Sequence, residues 1–233
     1  MFFFDWTYLI LVLPAVLLAA WASSNVNSTF RKYASQYAKR GITGAQAARR
    51  VLDTNGLYSV RIERVSGNLT DHYDPKSNVI RLSDQVHDST STAAIGVACH
   101  EAGHAVQYAV NYAPIKFRAA IIPITNIGSR LAMPLILIGL LFIRSDLFYL
   151  TYAGILCFSL STLFQLVTLP TEFNASRRAL SAIQSGNLLY DDELAGAKKT
   201  LRAAALTYVA ALTVSLAQLL RLLILVGGRR RRD

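Results

Sequence analysis

The chain has 233 residues, 53% of them hydrophobic and 16% charged, with a formal charge of +10. That balance is too apolar for an ordinary soluble domain, and the apolar residues cluster into runs long enough to span a bilayer. Two cysteines, Cys99 and Cys157, exclude a disulfide framework, and the basic residues sit at span ends, where membrane topology accounts for them without nucleic acid.

From Trp6 to Ala22 no charge interrupts the sequence, and Trp6, Tyr8 and Trp21 bracket the run as interfacial aromatics do. A cleaved signal peptide wants a basic region before the apolar run; Asp5 stands there instead, which predicts a retained helix. Arg31-Lys32, Lys39-Arg40 and Arg49-Arg50 follow and should stay in the cytoplasm, so this helix is expected to run from outside to inside. Thr43 with Gln46 makes a capping box and Asn55-Gly56 a stop, predicting a short helix with Ala45, Ala48, Val51 and Leu52 on one face.

Tyr58 to Val65 alternates like a half-buried strand, Asp74 to Asn78 is a turn, and Val79 to Leu82 is a second short strand. Asn68 to Tyr73 reads either as an edge strand that an extended peptide could pair with, or as an ordinary loop. His72 within it either serves a site or caps the turn. Asp88 to Ser91 is a run of capping residues, and TAAIGVACHEAGHAVQYAV after it reads as one long apolar helix.

Ile121 to Ile143, interrupted only by Asn126, Ser129 and Arg130, and the uncharged run Leu147 to Leu169 flank the polar break Arg144-Ser145-Asp146. They predict a hairpin that crosses the bilayer twice and returns to the side it left. Pro170 is expected to end its second arm. Thr171 to Gln184 reads as a polar helix closed by Gly186-Asn187. Asp191 then caps another, acidic at Asp192 and Glu193 and basic at Lys198, Lys199 and Arg202, as the helix dipole prefers. Ala203 to Val226 is apolar apart from Gln218, Arg221 and a few hydroxyls. Because Arg229 to Arg232 should stay cytoplasmic, this last helix is expected to pack on the membrane domain or lie in the interface rather than cross.

His100-Glu101-Ala102-Gly103-His104 carries the chemistry. Residues one helical turn apart lie one above the other, so two imidazoles can grip one zinc ion. Glu101, the next residue after the first ligand, is placed to take a proton from a zinc-activated water and deliver it to a leaving amine. The chain holds only four histidines, so the pattern on a predicted helix is seldom an accident; the competing reading is a pair of core histidines. Cys99 faces about 100° away from His100 around a helix and reads as core.

A zinc peptidase needs a third ligand. An extended motif with a third histidine fails, because Gln107 and Val110 occupy the required positions. Among later carboxylates, Asp146 lies in the hairpin turn and Glu193 in an acidic helix start. Glu172 follows the second membrane arm on the side to which the hairpin returns, and is the expected ligand. Arg177, Arg178 and Tyr208 are candidates to stabilise an oxyanion, each with a phosphate-facing or interfacial role as the alternative.

The segment VACHEAGHAVQ, followed after a hairpin by LPTEFNASRRA, resembles the YugP-like family of neutral zinc metallopeptidases, and the resemblance extends over nearly the whole chain, including DHYDP. More distantly it resembles the HtpX-type and prenyl-protein membrane proteases. The resemblance implies that His100, His104 and Glu172 hold one zinc ion per chain, with Glu101 as base. Those distant proteases have aspartate where this chain has Ser176, so the group orienting a ligand histidine is expected elsewhere, for example at Asn174.

The expected fold is a mainly α membrane protein with about three to four membrane helices and a small α+β zincin-like catalytic layer. Its parts are an N-terminal transmembrane helix (1–22), a cytoplasmic zincin-like part (23–114), a transmembrane hairpin (115–170), a helix with the third ligand (171–200), and an apolar C-terminal helix with a basic tail (201–233). The expected activity is hydrolysis of peptide bonds in membrane proteins or surface-bound peptides, at the cytoplasmic side of the plasma (inner) membrane. The expected partners are that substrate and the lipid bilayer, with no nucleic acid. The alternative is a catalytically silent metal-binding membrane scaffold or adaptor that keeps a protease fold.

Overall fold

The computed structural model describes residues 5–142 and 145–227. A π turn at Tyr8–Val12 leads into α1 (Leu13–Ala34), followed by α2 (Gly44–Thr54), β1 (Arg61–Val65), β2 (His72–Asp74), β3 (Val79–Ser83), α3 (Asp84–His87) and α4 (Thr92–Ala109). Then come α5 (Ala113–Leu141), a 3-10 turn at Asp146–Phe148, α6 (Tyr149–Ser185) and α7 (Asp191–Gly227). Four of these helices, with α1 and α6 counted together with their leading turns, are long and apolar enough to cross a membrane. Arg144 of the polar break and the tail Arg229 to Arg232 lie outside the described residues.

The chain divides into two compact units. One holds the residues up to Ala22, Phe117–Leu169 and those from Thr207 onward; the other holds Ser23–Lys116 and Pro170–Leu206. In the second unit, the Thr43 capping box forms as expected and starts α2. Its inward face is Ala47, Ala48, Val51 and Leu52, all buried, with Ala45 only partly covered. α2 packs on α4, whose N-cap Ser91 accepts the N–H of Ala94. The sheet has the order β1-β3-β2, with β1 parallel and β2 antiparallel to β3. β3 is central, so Val79, Ile80 and Leu82 are all fully buried.

The first strand begins three residues later than its alternation suggests. Leu57 donates its N–H to the Leu52 carbonyl (2.9 Å), closing the end of α2 over Gly56 at φ +72°. Arg49 then holds the carbonyls of Leu57 (2.8 Å) and Val60 (2.7 Å), so this stretch is committed to a helix cap and not to a ladder. β2 is short for a related reason. The Asp71 carboxylate accepts both the N–H (2.7 Å) and the hydroxyl (3.0 Å) of Ser83, and a side chain replaces the backbone partner that further pairing would use.

Pro170 does not end a helix: α6 runs through it to Ser185. A proline inside a helix removes one hydrogen bond and costs about 3 kcal/mol. The turns beyond it return more than that by burial, since Thr171, Ala175, Ala179 and Ile183 are all fully covered. The helix closes where expected, at Asn187 with φ +47°.

In the first unit, α5 and α6 form the expected hairpin. A Cβ at Gly154 would lie 2.8 Å from the Ala132 carbonyl oxygen, so the two helices approach at backbone distance there. Ile136 and Ile155 of the hairpin share a core with Leu222 and Val226 of α7, so the last helix packs on the hairpin as expected. Arg221 is buried, 3.4 Å from Asp5, with its guanidinium over the Tyr8 ring. Asp5 and Arg221 therefore lie at one end of this unit. α7 is long and apolar enough to cross a membrane, and its Arg221 lies beside the start of α1. A buried arginine needs a counter-charge, and it finds one beside the start of α1.

Candidate metal centre

Two helices of the second unit supply the site: α4 with His100, Glu101, His104 and Gln107, and the later part of α6 with Glu172, Asn174, Ser176 and Arg178. Their backbones can meet because position 103 is glycine. A Cβ there would lie 2.9 Å from the Ala175 carbonyl oxygen, closer than side-chain carbons sit. Gly103→Ala is expected to push α4 and α6 apart, lowering stability by about 1–3 kcal/mol and weakening zinc binding; thermal unfolding and zinc titration would register both.

The donor atoms of His100, His104 and Glu172 all lie within 4.8 Å of one another. Glu172 Oε2 is 3.2 Å from His100 Nε2 and 3.6 Å from His104 Nε2. Donors held tetrahedrally on zinc at about 2.0–2.1 Å are separated by about 3.3 Å, so this spacing suits the ion. Two imidazoles and one carboxylate are also a donor set zinc takes. The carboxylate is almost wholly buried, a position that calls for a cationic partner.

The rings are held from behind. Ser176 Oγ lies 3.1 Å from His100 Nδ1. Gln107 Oε1 lies 2.9 Å from His104 Nδ1. This corrects the expectation that Asn174 stands in for the missing aspartate at 176. Position 176 is one turn from Glu172 and so faces the same imidazole, and the serine hydroxyl reaches it. Asn174 sits one step further back, on Gln107 (3.0 Å) and Arg178 (2.8 Å). Burial pulls His104 toward its neutral form, but Glu172, Glu101 and Gln107 outweigh it and raise its pKa above the ordinary imidazole value.

Glu101 is buried and accepts the N–H of Tyr73 at 3.1 Å. Tyr73 lies on β2, one of the two edge strands, so that edge of the sheet runs beside this carboxylate. Of the stretch Asn68 to Tyr73, only His72 and Tyr73 are strand. The His72 ring is exposed and bonds the Thr70 carbonyl (2.7 Å), the turn-capping alternative.

The other candidates fall elsewhere. Cys99 is fully buried, and burial pushes its thiol up, as a core residue requires. Glu193 is buried at the start of α7, where it accepts the N–H groups of Lys39 (2.7 Å) and Tyr190 (2.9 Å). Asp146 is exposed in the hairpin turn. Arg177 stands on the exposed face of α6, about 140° around the helix from Glu172. Tyr208 lies on α7 in the other unit. A cavity of about 430 Å³, lined by Arg50, Val106 and Arg178 among others, includes neither imidazole.

Gln107 and the Tyr73 N–H are the site features that the sequence reading did not identify. Gln107 was legible in part, since it lies three residues after His104 and seven after His100, on one helical face. The Tyr73 contact depends on pairing across 28 residues and leaves no local signal.

Comparison with known proteins gives the family. The profile of a family described as "Putative neutral zinc metallopeptidase" matches residues 8–227. The "Putative membrane protease YugP" of Bacillus subtilis (strain 168) is 47% identical over 223 residues, covering 95% of this chain and 98% of the relative. No solved structure matches the chain.

Proposed function

This chain belongs to the neutral zinc metallopeptidase family, and on that premise we propose that it is a membrane-embedded endopeptidase that holds one zinc ion between His100, His104 and Glu172 and uses Glu101 as its base. The observation that carries the reading is the convergence of two Nε2 atoms on one buried carboxylate oxygen, at 3.2 and 3.6 Å.

When bound, zinc supplies Lewis acidity and lowers the pKa of a coordinated water toward about 7. The protein does the rest. His100 and His104 present Nε2 because their Nδ1 atoms are engaged by Ser176 and Gln107. Glu101 takes a proton from the attacking water as its oxygen bonds to the scissile carbonyl carbon. The carboxyl group then gives that proton to the departing amine as the C–N bond breaks. The Tyr73 N–H holds one oxygen of Glu101 in place and leaves the other for proton transfer. A substrate strand added to the free edge of β2 would run beside this carboxylate.

Substrates are membrane proteins or peptides at the bilayer surface. The support is that α6 carries both an uncharged run long enough to span, from Tyr149 to Leu169, and Glu172 just after it. The basic residues that follow α1 favour a cytoplasmic site in the plasma membrane.

The test is cleavage of an unfolded membrane protein by the detergent-purified chain, with and without a chelator. Cleavage that stops on chelation and returns with zinc supports the reading; zinc binding with no cleavage of any such substrate would favour the silent scaffold. Zinc at about 100 times its dissociation constant should also add about 2.7 kcal/mol of stability, read as a rise in Tm of several degrees.

A further inference from the structure

We propose that Gln107 is a positioning residue for the metal centre: it fixes the His104 ring with its proton on Nδ1 and the lone pair of Nε2 toward Glu172, and it ties that ring to the backbone beside the third ligand. The inference rests on the metallopeptidase reading.

The orientation of each amide follows from neighbours that can play only one part. The Thr171 carbonyl oxygen can only accept, and it lies 2.8 Å from the Gln107 nitrogen. Arg178 Nε can only donate, and it lies 2.8 Å from Asn174 Oδ1. That fixes the Asn174 amide, whose same oxygen lies 3.0 Å from Gln107 Nε2. Two acceptors on one side place the NH2 group of Gln107 there and leave Oε1 facing His104 Nδ1 at 2.9 Å. An amide oxygen has no proton to give, so Nδ1 carries it. A neutral ring protonated at Nδ1 has its free lone pair on Nε2, the atom nearest Glu172.

Burial makes the arrangement binding. Gln107 has no exposed surface, so water does not compete for its oxygen. The Thr171 carbonyl belongs to the residue before Glu172, and one side chain thus joins a ligand on α4 to the segment that places a ligand on α6. A metal-ligating imidazole needs its second nitrogen engaged, and such partners are worth about 10–100-fold in metal affinity.

The test compares Gln107→Met and Gln107→Glu with wild type by zinc competition against a chelator and by the spectrum of 15N-labelled histidine, which is tractable with four histidines in the chain. Glutamate keeps an oxygen toward Nδ1, and methionine keeps the volume alone. The methionine variant should lose about 10–100-fold in zinc affinity together with the hydrogen-bonded Nδ1–H signal of His104; the glutamate variant, which gives up the two N–H bonds toward Thr171 and Asn174, should keep that signal and lose clearly less affinity than the methionine variant. Equal losses in both variants would mean that Gln107 only holds the helices together, and equal retention would mean that it does not act on the ring; either overturns the proposal. A His104 protonated on Nε2 alone in the wild-type protein would overturn it without any variant. Wild-type protein that fails to bind zinc would instead strike the metallopeptidase reading, while the Nδ1–H signal of the metal-free protein still decides the role of Gln107.

Discussion

Glu101→Gln is expected to bind zinc like wild type and to lose cleavage by about 10²–10⁴-fold, the contribution of a positioned general base. Glutamine has nearly the same shape and keeps an oxygen that can accept the Tyr73 N–H, so the contact at 3.1 Å survives and the edge strand stays where it is. The amide cannot take a proton at neutral pH. The loss should therefore fall on kcat and leave zinc stoichiometry and thermal stability near wild type. Parallel measurement of turnover, bound zinc and Tm separates this outcome from misfolding. A variant that cleaves at the wild-type rate with full zinc content would remove Glu101 from the chemistry and leave its burial beside β2 as a structural matter.

Glu172→Gln is expected to lower zinc affinity by about 10²–10³-fold, because breaking a buried charged interaction by changing one partner costs about 3–5 kcal/mol and some of that is recovered by the amide oxygen. The carboxylate is almost wholly buried, and its oxygen is shared by both imidazoles at 3.2 and 3.6 Å. In the metal-free protein the same change removes the group that helps to raise the His104 pKa, so the imidazole should titrate lower than in wild type. The sign for stability follows: a raised folded-state pKa contributes stability that is full below the unfolded imidazole value near 6.5 and is lost as pH rises through the folded value. The metal-free wild type should therefore be more stable than the variant at mildly acidic pH, with the gap closing at alkaline pH. Zinc titration of Glu172→Gln and Glu172→Ala settles the assignment. Wild-type affinity in both would place the third donor elsewhere.

The parts of the site that were legible in sequence are those whose partners are close along the chain. The capping box of Thr43 and Gln46 and the pairing of His100 with His104 both depend on helical spacing, and spacing is written in the residues. The assignment of Glu172 needed a longer inference, from a hairpin that returns the chain to its starting side, and the structure brings that residue to the imidazoles. Pro170 misled because a local rule about proline was applied where burial of the turns beyond it outweighs one missing hydrogen bond. Ser176 misled because a neutral hydroxyl was read as an absence, although its position on the helix decides what it faces.

Taken alone, the order of residues determined which segments are apolar enough for a bilayer, which helix carries the two imidazoles, and which carboxylate stands beside them, since each is a matter of composition or of period along one element. Only the tertiary structure decided what lies behind the ligands: the Gln107 amide between His104 and the Thr171 carbonyl, the Tyr73 N–H on Glu101, and the pairing of Asp5 with Arg221. Those contacts join groups between 28 and 216 residues apart, apart from the local step from His104 to Gln107. Hydrogen bonds act over about 3 Å in space and carry no trace in the sequence between their partners.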